Sequence, residues 1–318
     1  MLDHNTILEI INSTLPVLAS SPVLIKLFGT IENVIKTLYM PTLTLKNGKA
    51  EVDVEIYRKK NEAILLNQTF TLYEITKLKN FVKAANFAAA ELQNYRERST
   101  NDNNLDFDWI MRFFDAVSNV SNEEMQKLWG KVLAGEVKQP GNCSLRTMDI
   151  IRNMSQNEAD TFDKLCKYVL ISGDCYFIFH RGFSGLDGTN NDSHNYISKT
   201  GLNYSDNIIP MVECGLLSID NTLATDFKTN NTLTINNQKV ICFIISEKCA
   251  DDYILIEPYF LTRSGIELYN IIQNTPEFNP NIEYSIICFR ELKRLNPSLI
   301  FSAHKIIGTD EFDSSDLL

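Results

Sequence analysis

The chain has 318 residues, 44% of them hydrophobic and 22% charged, with a formal net charge of −10. Such a length predicts about two domains, and the composition supports a sizeable core and excludes general disorder. The acidity argues against broad binding to a phosphate backbone, which needs clustered Lys and Arg, and the longest basic run is Arg58-Lys59-Lys60.

Residues 1–40 read as two helices, one over Asn5 to Ala19 and one from Pro22 to about Tyr39. Val23, Leu27, Ile31 and Leu38 give the second a greasy face, expected to meet a partner or a membrane. From Ala50 to Arg98 there is no Pro or Gly, which predicts one very long helix, too long for a compact domain to cover alone. Asn101-Asp102-Asn103-Asn104 reads as a linker. Asp106 can cap a helix carrying Trp109, Phe113 and Val117. Ser121 with Glu124 reads as a capping box opening a helix whose core face includes Met125, Trp129 and Val132. Gly135 suits that helix's end, Ser144 can cap the next helix, and Ser155 with Glu158 makes another capping box.

Beyond Ser172 the texture turns to strand, with β-prone runs at Cys175–Phe179, Val240–Ile245, Tyr253–Ile256 and Tyr284–Phe289. Gly188–Asn195 and Asn230–Asn237 read as Asn-rich loops. Ile208–Leu217 reads as a short helix with a glycine-stopped bend, and Thr262–Gly265 leads into a helix through Ile272. The acidic tail, Asp310 to Asp316, is expected to fray. The fold class is α+β. Residues 1–100 form an amphipathic hairpin and long helix, and 101–170 a compact helical unit. Residues 171–318 form a smaller mixed α+β domain, for which a winged-helix-like arrangement is one option.

The search for chemistry yields no catalytic set, no metal set and no cofactor motif. Gly182-Phe183-Ser184-Gly185 lacks the spacing of a nucleophile elbow. His180 and His194 near Asp187 and Asp192 match no closed metal site, and no phosphate-cradling loop occurs. Seven cysteines are scattered without a C-x-x-C pair and read as small buried hydrophobes in a reducing, cytoplasmic setting. No secretory leader or membrane span is expected, since Asn12, Pro16, Pro22 and Lys26 interrupt the most apolar stretch. Four residues of the central block stand out as a structural or recognition motif: Glu124, Trp129, Glu136 and Arg146. Trp129 is expected in the core. Arg146, beside the Pro140-Gly141 turn, is expected to pair with Glu136 or Glu124 and lock two helices. Recognition of a phosphate or carboxylate is the alternative.

The run Glu123-Glu124-Met125, Leu128-Trp129, Leu133-Ala134-Gly135-Glu136, Pro140-Gly141 and Ser144-Leu145-Arg146-Thr147 resembles an uncharacterised bacterial family, the domain of unknown function numbered twenty-eight-oh-six. The resemblance continues through Ile150, Asn153, Ser155, Glu158 and Ala159, and departs from the family pattern at Asn142-Cys143. It brings no catalytic residues. More distantly, Cys214-Gly215-Leu216-Leu217 and Tyr259 through Gly265 are similar to the abortive-infection alpha family, which implies a bacterial antiviral role. The resulting expectation is a non-enzymatic antiviral interaction protein that self-associates or binds a protein partner, with peripheral membrane contact as an option and nucleic acid not expected. The alternatives are a nucleic-acid-associated module and a cryptic hydrolase.

Overall fold

Pro22, placed in a first turn where its missing N–H costs nothing, opens the first described helix of the computed structural model. The structure describes residues 22–39, 72–93, 105–183, 192–219, 223–226, 232–247, 253–308 and 311–318. The chain divides into two units, one reaching Arg152 and one running from Asn153 to Leu318. The helix Gln156–Cys166, read above with the compact helical unit, groups with the sheet.

In the first unit, α1 (Pro22–Tyr39) and α2 (Leu72–Leu92) touch each other. The stripe expected to be a docking face is buried within the chain: Val23 is 4% exposed, Leu27 1% and Ile31 0%. Its apolar spacing is satisfied by intramolecular packing, which corrects the expectation of a free face; the side chain of Leu38 lies outside the described residues. The long helix is described only as the 21 residues of α2, about 30 Å of helix. The rest of its expected span, the helix over Asn5–Ala19 and the Asn101–Asn104 linker lie outside the described residues.

The helices α3 (Phe107–Val117), α4 (Glu123–Lys138) and α5 (Leu145–Asn153) complete the unit. Asp106 caps α3 as its side chain accepts from Trp109 N–H at 2.8 Å. The cap of α4 is Asn122 and not Ser121: Asn122 Oδ1 accepts from Met125 N–H at 3.0 Å, leaving Glu124 on the surface. Two adjacent good capping residues compete here, and the one in extended backbone directly before the first helical turn takes the role.

Along α2 and α4, Lys83 meets Glu123 and Ala84, Phe87 and Ala88 flank Gly130, so the two helices advance in parallel. A Cβ at Gly130 would sit 2.5 Å from Phe87 Cβ and 3.0 Å from Ala88 N, so only glycine permits this approach. Two buried polar side chains of the unit, Asn80 and Gln126, bond across elements. Asn80 donates to Ser118 O at 2.9 Å, and Gln126 donates to Asn80 at 3.1 Å and to Val120 O at 2.7 Å.

The second unit is built on an eight-stranded antiparallel sheet in the order β10-β9-β6-β5-β1-β2-β8-β3. Its strands are β1 (Val169–Ser172), β2 (Cys175–Phe179), β3 (Leu217–Ser218), β5 (Thr232–Asn236), β6 (Val240–Ile245), β8 (Pro258–Leu261), β9 (Ile300–Gly308) and β10 (Glu311–Phe312). Between them in sequence, β4 (Leu223–Asp226) and β7 (Tyr253–Ile256) pair as a separate ribbon. No winged-helix arrangement emerges among the described residues. The helices are α6 (Gln156–Cys166), α7 (Asp192–Thr200), α8 (Ile209–Glu213), α9 (Arg263–Gln273) and α10 (Ile282–Leu295). The capping box of α6 forms as expected, with Glu158 Oε2 accepting from Ser155 N–H at 2.6 Å. That bond and the Ser155 hydroxyl hold the Glu158 carboxyl below its usual range.

Three segments differ from the sequence reading. Tyr284–Phe289 belongs to α10, where Asn281 caps the helix and Tyr284, Cys288, Phe289 and Leu292 are buried at helical spacing. The β-prone Ile286-Ile287 pair is outvoted by that stripe. Asn230–Asn237 contains β5, whose Leu233, Ile235 and neighbours pair with β6 despite the Asn-rich flanks. Asp192 to Asn195, read as the end of a loop, begins α7. The remaining strand predictions hold: Cys175–Phe179, Val240–Ile245 and Tyr253–Ile256 are β2, β6 and β7. The helix after Thr262 is α9, capped as Thr262 Oγ1 accepts from Gly265 N–H at 3.1 Å.

On the sheet, α10 contacts β6 and β9 and α7 contacts α10, while α9 contacts β8 and α6. A buried carboxylate joins two of these helices. Glu291 of α10, 3% exposed, accepts from Ser193 N–H at 3.1 Å and from its hydroxyl at 2.8 Å, at the start of α7. Negative charge there is favoured by the helix dipole.

Candidate functional site

The block with the strongest sequence signal is a clamp around one turn. Trp129 is fully buried, edge-on to Phe113 at 5.5 Å between ring centroids, while Phe113 stacks on Trp109 at 5.4 Å. The Trp129 indole N–H has no hydrogen-bond partner among the described residues. Trp109 uses its own: Nε1–H donates to Cys143 O at 2.9 Å, tying the start of α3 to the segment before α5.

Glu136, 3% exposed, lies in the last turn of α4. Its carboxylate accepts from Gly141 N–H at 2.6 Å and from Cys143 N–H at 3.0 Å. Gly141 has φ +86, a left-handed conformation that favours glycine. Both oxygens of one buried acid therefore stitch the loop 139–144 to the helix before it. Ser144 completes the join, its Oγ accepting from Thr147 N–H at 3.3 Å at the start of α5.

The expected Arg146 lock is not made. Arg146 is exposed, and Glu136 bonds main-chain N–H groups instead. A buried carboxylate needs several donors close by, and the turn it encloses supplies them without a long side chain. Glu124 is exposed and accepts from Lys127 Nζ at 2.8 Å. Of the four motif residues, the structure places Trp129 and Glu136 in the clamp and leaves Glu124 and Arg146 on the surface. The sequence reading missed Trp109 and Cys143 as members. The signal available was Gly-Glu in a last helical turn followed by Pro-Gly, a pattern in which an acid can reach forward to turn amides.

Three side chains in the first turns of α3 and α5 are exposed: Phe107 (48%), Leu145 (41%) and Arg146. Phe107 lies two positions before Trp109 and Leu145 two positions after Cys143, so the Trp109–Cys143 bond brings their helix starts together.

In the second unit, the Cys214–Leu217 and Tyr259–Gly265 segments interlock. Leu217 pairs with Leu261, Thr262 N–H donates to Leu216 O at 3.0 Å, and Thr262 Oγ1 donates to Gly215 O at 2.6 Å. Gly215 has φ +77, and a Cβ at Gly265 would collide with Leu216 O, so both glycines are required by the contact. Beside this join the His180 ring lies 4.9 Å from that of Tyr259, with Tyr204 at 6.0 Å from Tyr259. Among the described residues neither His180 Nδ1 nor the Tyr259 hydroxyl has a hydrogen-bond partner, and burial, with Tyr204 beside it, pushes the Tyr259 phenol far up. Cys214 Sγ lies 3.5 Å from Glu158 Oε1, and burial first, then that carboxylate, raises the thiol to about 11, so it is not a ready nucleophile. Ser184 and Gly185 lie outside the described residues. Among the described residues no group of three or more His, Cys, Asp or Glu could hold a metal ion, and no helix is long and apolar enough to cross a membrane.

Residues 67–282, which take in both the clamp and the Gly215–Thr262 join, match the family model described as protein of unknown function DUF2806. The chain belongs to the DUF2806 family. No curated protein and no solved structure matches it. The clamp lies within the span matched to DUF2806, where Trp129 fills a core, Gly130 lets two helices approach closely, and Glu136 closes a turn.

Proposed function

We propose that this DUF2806 chain is a non-enzymatic interaction protein of bacterial antiviral defence, acting by binding a protein partner or further copies of itself. The observation that carries the reading is the division of labour in the clamp. Trp129, Gly130 and Glu136 are engaged in packing and turn closure, while Phe107, Leu145 and Arg146, in the first turns of α3 and α5, are exposed. Exposed arginine and large apolar side chains held by a buried aromatic cluster have the composition found at binding hot spots. The antiviral setting rests on the likeness of Cys214–Leu217 and Tyr259–Gly265 to the abortive-infection alpha family. The interlock of those segments supports reading them as one element.

The test is phage plaquing efficiency with host viability in bacteria expressing the full chain, the Leu145→Asp/Arg146→Ala variant, or neither. The expected result is reduced plaquing with host death for the full chain, and loss of both in a variant that keeps its thermal transition. Full protection by the folded variant sinks these exposed residues as the working surface, and normal plaquing across a broad phage panel sinks the antiviral role.

A further inference from the structure

We draw no further inference here: the strongest candidate, the half-exposed face of the sheet on which Thr234 of β5, Phe243 of β6 and Ser302 of β9 stand in register, carries nothing because nothing in the structure shows what covers it.

Discussion

Two carboxylates in this chain do the same job in opposite surroundings. Glu136 in the helical unit and Asp316 on the sheet edge each accept from two main-chain N–H groups, at 2.6 and 3.0 Å in the first case and 3.0 and 3.1 Å in the second. Glu136 is 3% exposed and Asp316 is exposed. With water excluded, loss of the acid leaves the buried Cys143 donor unsatisfied; with water present, solvent takes its place. Burial, and not bond length, separates the two arrangements.

Substitutions grade this contrast. The largest effect is expected at the packing beneath the clamp: Trp129→Ala removes a fully buried ring and should cost about 3–5 kcal/mol in chemical denaturation. Next comes Glu136→Ala, which strands the buried Cys143 amide and frees the exposed Gly141 amide to solvent, and should cost about 1–3 kcal/mol. A cost near zero there would erase the distinction between the two acids. Asp316→Ala should cost under about 1 kcal/mol once solvent screening is included, with its mark confined to exchange at Ala303. Arg146→Ala, at an exposed position, should shift the thermal midpoint negligibly.

Acid sharpens the comparison further. Desolvation works against the charged form of Asp316, but the Ala303 and Leu318 amides, with Lys293 and His304 nearby, hold its carboxyl below the ordinary aspartate range. Asp313 is also lowered, chiefly by the Ser315 N–H, with Lys305 and His304 adding. A depressed folded pKa contributes stability fully present above the unfolded value of about 4 and lost as pH falls through the lower folded one. The Ala303 and Lys305 amide resonances should therefore move together below about pH 4. Resonances that stay fixed down to the acid unfolding transition would show that the tail's hold on β9 does not depend on its carboxylates.

Local devices were legible in the sequence because their physics is local. Asp106, Ser144 and the Ser155–Glu158 box announce helix starts within four residues, and each caps as read. Segments whose state depends on distant partners were not. Tyr284–Phe289 carries β-prone residues yet is held helical by the stripe it buries, and β5 is hidden in an Asn-rich stretch until β6 supplies its ladder. The expected frayed tail fails for the same reason: its acids find amides on a strand that precedes it. At the motif, Trp129 was placed correctly in the core, but Glu136 was paired with the wrong chemistry. Charge suggests charge, whereas main-chain amides carry no letter in the sequence.

The chain holds two tryptophans, Trp109 and Trp129, and both stand in the first unit, buried around Phe113. Indole emission is therefore a domain-selective reporter. Its red shift on denaturation registers the opening of the aromatic cluster and is blind to the sheet, whose melting must be followed through tyrosine or circular dichroism. Denaturation followed by both signals at once measures, without any label, whether the two halves of this chain unfold as one cooperative body or as two.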